Sequence, residues 1–186
     1  MYFPYLRGKQ FDLLALRDLS PVLAVNREKI SPIIEPVKDS TSLRAVATSL
    51  ADIGVNFNVV LNPTVGDFSK IEGSALGLVA SALEGLHNYQ IALIVDSNTF
   101  TYLRDQFFDE IVSSTLQPVG VTFIHNEVND DVANLQAKYE TRWQTLFNVV
   151  NFKRTSRRYY REFEASTLVS LDDYFLGLVK NAAYLK

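Results

Sequence analysis

Short apolar runs rich in β-branched and aromatic residues recur along this chain, separated by segments with helical spacing. Seven runs have this character, at residues 2–6, 31–35, 57–62, 90–96, 119–125, 145–151 and 165–171. Their starts lie roughly 20 to 33 residues apart, which is the length of a strand, a crossover helix and two loops. Because this alternation favours a mainly parallel sheet, the sequence predicts a single α/β domain over residues 1–186.

Several of these runs are apolar almost without interruption, as in NVVL at 58–61, IALIV at 91–95 and VGVTFI at 119–124. Strands of a parallel sheet have such uninterrupted apolar sequences because both of their faces are covered. A complete eight-stranded barrel typically has about 250 residues, and this chain has 186. Repeated βα units in an incomplete TIM-barrel-like sheet are therefore expected. An open doubly wound sheet, or a barrel closed across a dimer, fits the same pattern.

Apolar residues at helical spacing predict helices over residues 40–53, 69–86, 99–116 and 130–139. A further helix is expected to begin just after Lys9, and residues 171–186 show helical spacing through Tyr174, Leu178 and Val179. Each helix falls between two predicted strands or after the last one. The order of elements therefore supports the βα repeat.

Composition excludes several classes of function. A net charge of −3 and a pI near 5.4 argue against a surface devoted to nucleic acid or anionic membrane, although a local basic patch is compatible with them. The chain has no cysteine and two histidines, so disulfides, thiolate metal sites and cysteine nucleophiles are not expected. No metal or cofactor is predicted. Without a signal peptide or a long apolar run, we expect a cytoplasmic protein that does not enter a membrane.

Polar residues follow the apolar runs where each predicted strand ends. They are Glu35, Asn62, Asp96, His125, Asn126 and Asn151. The carboxyl ends of parallel strands face the loops that build sites, so these side chains are expected on one rim. Glu35, Asp96 and His125 are the catalytic candidates, and the three asparagines are candidates for binding an anion or substrate. The alternative is that these residues only cap helices or form turns.

Glu35 stands apart because glutamate is a poor turn former, so it requires a partner. Arg7 or Lys9, at the end of the first predicted strand, could supply one. The same two cations flank Gly8 just before a helix and could instead receive an anion. The segment lacks the glycine spacing of a nucleotide-binding loop, so a structural ion pair is the competing interpretation.

The strongest concentration of charge lies between residues 153 and 161. It consists of Lys153, Arg154, Arg157, Arg158 and Arg161, interleaved with Tyr159 and Tyr160. Basic groups beside aromatic rings can hold phosphates and stack on bases. A solvated loop, or a patch for an acidic protein, has the same composition. The segment therefore leaves nucleic acid and protein as alternative partners.

Two segments near the amino terminus resemble the start of the bacterial and phage "Beta protein" family: YFPYLRGKQFDLLAL at 2–16 and ISPIIEPV at 30–37. A second signature of that family is similar to LVSLDDYF at 168–175 together with KNAAY at 180–184. The resemblance implies a barrel-like α/β fold and a link to phage or bacterial defence. It draws attention to Tyr5, Arg7, Lys9, Glu35 and Asp172. Asp12 stands where that family has glutamate, and the early end of the chain is expected of a shortened or truncated member.

Two hypotheses about function follow. The first is a macromolecule-binding protein with a protein partner, because no serine, cysteine or metal signature of a hydrolase occurs. The resemblance to the Beta protein family implies an immunity or phage-defence role for it. The second is a barrel-type enzyme that acts on a phosphorylated or nucleic-acid substrate, with Glu35 or Asp96 as base or metal ligand and Arg7 and Lys9 binding the anion. Both leave homo-oligomerisation open.

Overall fold

The computed structural model describes residues 1–38, 41–70, 74–96 and 100–171. These residues form seven parallel strands whose order in the sheet is their order in the sequence. The strands are β1 Tyr5–Arg7, β2 Ile33–Glu35, β3 Phe57–Val60, β4 Tyr89–Val95, β5 Val121–His125, β6 Thr145–Val150 and β7 Leu168–Ser170. The sheet curls into a half-barrel flanked by helices. A doubly wound sheet reverses its strand order near the middle, so that alternative is wrong.

The helices connect successive strands. They are α1 Gln10–Asp18, α2 Ser20–Val25, α3 Thr41–Asp52, α4 Ser74–Leu83, α5 Phe100–Tyr102, α6 Phe108–Ser113, α7 Val132–Glu140 and α8 Arg157–Tyr160. A π-helical segment at Leu103–Phe107 joins α5 to α6, and a 3-10 helix at Asp67–Lys70 precedes α4. The helix predicted over 69–86 is therefore shorter than expected. Asp172 and the residues at 174–179, for which helical spacing was noted, lie outside the described residues.

Alternate residues of each strand point to opposite faces of the sheet, and both faces are apolar. On the convex face, residues such as Phe57, Ile91 and Phe123 pack against the helices in the larger core. On the concave face, Ile33, Ile94 and other aliphatic side chains form a smaller core. The central strands are buried along their whole length, which explains their uninterrupted apolar runs.

A layer of buried polar side chains crosses the concave face near the amino ends of the strands. Asn58 is fully buried, and its Nδ2 donates to Ser31 Oγ at 3.1 Å. Its Oδ1 accepts from the Thr122 hydroxyl at 2.8 Å. Gln90 lies 3.4 Å from that hydroxyl. Hydrogen bonds thus satisfy polar groups that burial alone would make costly.

Candidate functional site

The open side of the half-barrel is a cleft of about 1260 Å³ between the edge strands β1 and β7. Its floor includes Phe3 and Phe147, whose rings meet edge to face at 4.7 Å. Predicted site residues that line it are Arg7, Lys9, Glu35, Asn126, Asn151 and Arg154. The cleft therefore brings together residues from β1, β2, and the loops after β5 and β6.

Glu35 is the most enclosed acidic side chain of the cleft, with 3% of its surface exposed. Its Oε2 accepts from the Tyr5 hydroxyl at 2.9 Å, and its Oε1 accepts from the Thr64 amide at 2.8 Å and the Thr64 hydroxyl at 3.1 Å. No ion pair among the described residues includes Glu35. The expectation that Arg7 or Lys9 would be its partner is therefore wrong.

The Tyr5 hydroxyl remains the proton donor of this pair. Burial is the main cause that raises its pKa, and the charge of Glu35 raises it further. Tyr5 therefore stays protonated throughout the ordinary pH range and donates to Glu35. The pair is suited to holding the cleft wall in place, because both oxygens of the carboxylate already have donors.

The loop after β3 brings Thr64 to Glu35. Gly66 has a φ of +74°, and a Cβ there would overlap the backbone of Val37. The amide of Asp67 donates to the Val37 carbonyl at 2.7 Å. Since only glycine adopts this backbone without strain and fits against Val37, the loop is fastened to the end of β2.

Replacing Glu35 tests this arrangement. Glu35→Ala should lower the free energy of unfolding by about 1 to 3 kcal/mol, because the Tyr5 hydroxyl and the Thr64 amide lose their acceptor. Glu35→Gln should cost less than half of that, since its Oε1 still accepts from Thr64. Urea denaturation at pH 7 measures both. Glu84→Ala, at an exposed glutamate, is the control, and equal losses for the two alanine variants would contradict the role of Glu35.

Three cationic and two acidic side chains line the cleft, Arg7, Lys9 and Arg154 against Asp12 and Glu35, which leaves an excess of positive charge there. Arg7, Lys9 and Arg154 are exposed, and none of them takes part in an ion pair within the described ranges. The half-buried Asp12 also lines the cleft. Cations from two sides of one concave surface create a positive potential that attracts anionic ligands.

Asn62 and Asp96 do not line the cleft. Asn62 extends the pairing of β3 with β4, because its Oδ1 accepts from the Ile94 amide at 2.9 Å and its Nδ2 donates to the Ile94 carbonyl at 2.8 Å. The backbone carbonyl of Asp96 accepts from Asn129 Nδ2 at 3.3 Å. The structure thus separates these two strand-end residues from Glu35 and Arg7.

The two cleft asparagines differ in their bonds. Asn151 Oδ1 accepts from the amides of Lys153 and Arg154 at 3.1 and 3.2 Å, which forms an Asx turn. This turn directs the segment after β6, which includes Arg154, toward the cleft. The Asn126 amide bonds the Val95 carbonyl at 3.4 Å, and its side chain lines the cleft.

His125 lies on the convex face, fully buried and outside the cleft. Its Nδ1 is 2.9 Å from the Tyr159 hydroxyl, and its Nε2 is 3.0 Å from Asn148 Oδ1. Because Asn148 Oδ1 can only accept, Nε2 carries the proton of the neutral ring, and the Tyr159 hydroxyl donates to Nδ1. Burial is the main cause that lowers the pKa of His125 to about 4.

The basic segment contains α8, which the sequence pattern did not predict. Tyr159 is buried against His125, and Tyr160 stacks on Phe152 with ring centroids 4.3 Å apart. Lys153, Arg157, Arg158 and Arg161 are exposed. The two tyrosines are therefore engaged within the fold, while cations form the outer surface.

Comparison of the chain with protein-family models, with curated proteins and with solved structures yields no match. Within residues 1–38, 41–70, 74–96 and 100–171, no group of three or more acidic or histidine side chains is placed to hold a metal ion. No helix in that same part of the chain has the length and apolar character required to cross a membrane. The seven-stranded parallel sheet with its flanking helices defines the fold as α/β, and the cleft at its open side is the candidate site.

Proposed function

We propose that the chain is a macromolecule-binding protein whose partner is a protein with an acidic surface, bound in the cleft between β1 and β7. The observation that carries this proposal is the convergence of Arg7, Lys9 and Arg154, none of them in an ion pair among the described residues, on one concave surface. Charges arranged in this way select partners of opposite sign and speed their association.

The size of the cleft supports a macromolecular ligand. Its volume of about 1260 Å³ exceeds the roughly 300 to 1,000 Å³ of most small-molecule sites. The engagement of Tyr159 and Tyr160 within the fold favours a protein over a nucleic acid, since bases bind single-strand readers by stacking on available rings. The resemblance to the Beta protein family supports an immunity or phage-defence role for such binding.

The alternative, a barrel-type enzyme, has less support. Asp96 and His125 lie outside the cleft, and Glu35 is bonded by Tyr5 and Thr64. A general base needs access to the proton that it removes. We therefore treat Glu35 as a structural residue of the binding surface.

Charge reversal tests the proposal. The variant R7E/K9E/R154E should bind a fluorescent 20-residue poly-glutamate probe at least about tenfold more weakly than the wild type, because each reversal replaces attraction with repulsion. Fluorescence anisotropy at several salt concentrations measures this, and wild-type affinity should fall as salt rises.

The variant R157E/R158E/R161E is the matched control, because it changes the net charge equally at exposed positions that do not line the cleft. It should retain most of the wild-type affinity for poly-glutamate. Equal losses in both variants would show a nonspecific charge effect. Tighter binding of single-stranded oligothymidine, lost in the cleft variant, would replace the protein partner with a nucleic acid.

A further inference from the structure

The β1 edge of the sheet directs backbone groups into the cleft. Every second residue of this segment forms backbone hydrogen bonds with the chain on the β2 side. The Tyr2 carbonyl accepts from the Ser31 amide and the Pro4 carbonyl accepts from the Ile33 amide, both at 2.9 Å. The Gly8 amide donates to the Glu35 carbonyl at 2.7 Å. Backbone groups alternate in direction along a strand. Those of Phe3 and Tyr5 therefore point away from β2, toward the cleft.

No strand among the described residues pairs with β1 on that side. Pro4 lacks an amide hydrogen, and proline often protects an edge strand from pairing. Here Pro4 faces β2, so it removes no donor from the outer edge of β1. Within residues 1–38, 41–70, 74–96 and 100–171, the amides and carbonyls of Phe3 and Tyr5 and the amide of Arg7 have no backbone partner.

The surroundings of this edge define what could pair with it. Along the cleft floor, Phe3, Phe147, Val169 and Leu171 offer an apolar surface. The cations lie at the carboxyl end of β1, where Arg7 ends the strand and Lys9 follows it. All six strand pairs of the sheet are parallel, so a strand added in the same sense would run toward those cations.

We infer that the β1 edge accepts an extended segment of the partner protein as an additional parallel strand, with alternating apolar residues over the cleft floor and acidic residues at its carboxyl end. This inference rests on the proposed function and specifies its ligand. Backbone hydrogen bonds would supply affinity, while side-chain alternation and charge would supply specificity.

The experiment is a selection of random 12-residue peptides on the full chain, followed by backbone methylation of the best binder. Selected peptides should alternate apolar residues and carry Asp or Glu in their carboxyl-terminal half. N-methylation at alternate positions, where the amides face β1, should weaken binding at least about tenfold, whereas methylation at intervening positions should change it less than about twofold. Isothermal titration calorimetry measures each affinity.

Several results would overturn the inference. They are a basic or helical consensus, the absence of any peptide above background, and equal sensitivity to methylation at both sets of positions. A dimer of the chain that the selected peptide dissociates would make a second copy the occupant instead. If peptide binding is lost in R7E/K9E/R154E but is insensitive to methylation, strand addition fails while the proposed binding function stands.

Discussion

Between pH 7.5 and pH 4.5, the free energy of unfolding should fall by about 2 to 3 kcal/mol through His125 alone. The pKa of this histidine is about 4 in the fold against 6.5 for the ordinary side chain, and each unit corresponds to about 1.4 kcal/mol. The unfolded chain binds the proton more readily than the native chain, so acid favours unfolding. The stabilisation that the neutral His125 ring contributes is complete above pH 6.5 and is lost as the pH falls toward 4.

Burial of the ring is the main structural cause, and the fixed proton arrangement at Nδ1 acts in the same direction. Protonation of Nδ1 would place a second hydrogen between His125 and the Tyr159 hydroxyl, which already donates to that nitrogen. On the other side, the hydrogen bond from Nε2 to Asn148 Oδ1 favours the protonated ring, but the effect of burial is larger and the pKa is lowered.

Urea titrations at several pH values provide the measurement. His125→Gln should lower stability at pH 7.5 and flatten the dependence on pH between 4.5 and 6.5. His87→Gln is the matched control, because His87 is the other histidine of the chain and is exposed; this variant should keep the wild-type slope. An unchanged slope in His125→Gln would assign the acid sensitivity to other groups.

A second large effect is expected from Asn58→Asp, which changes the side chain little in shape but introduces a buried charge. The new carboxylate oxygen would face the Pro32 carbonyl, to which Asn58 Nδ2 now donates at 3.4 Å. A carboxylate without a cationic partner in such a site costs about 3 to 5 kcal/mol. The stability of this variant at pH 7 should fall by that amount.

The pH dependence of this loss has a defined sign. Burial raises the pKa of an introduced carboxyl, so the native variant binds a proton more readily than the unfolded one. The difference from the wild type should therefore shrink as the pH is lowered. Asn56→Asp, two residues away at an exposed position, should change stability by less than about 0.5 kcal/mol. Similar losses at both positions would contradict the buried hydrogen-bonded layer.

Much of the fold could be predicted from the sequence. All seven strands lie within or next to the predicted runs, because burial on both faces produces uninterrupted apolar segments. The π-helical segment Leu103–Phe107 and the short helix α8 were not predicted. Both depend on tertiary packing, since Leu103 and Phe107 are buried in the first and Tyr159 is buried in the second.

The site was predictable in part. Strand ends indicated Arg7, Glu35, Asn126 and Asn151 as candidate site residues, and all four line the cleft. The role of Thr64 could not be read from residue type, because it depends on how Gly66 folds the loop against β2. His125 was assigned to the rim by its position, but strand alternation turns its side chain to the convex face.

The sequential order of the strands also has a consequence for how the chain folds. Among the described strands, each pairs only with its neighbours in sequence, so every pairing closes a loop of one strand-helix unit. Closing β1 against β7 would span nearly the whole chain and would add a further loop-closure cost that grows slowly with length. The seven described strands can therefore assemble one unit at a time.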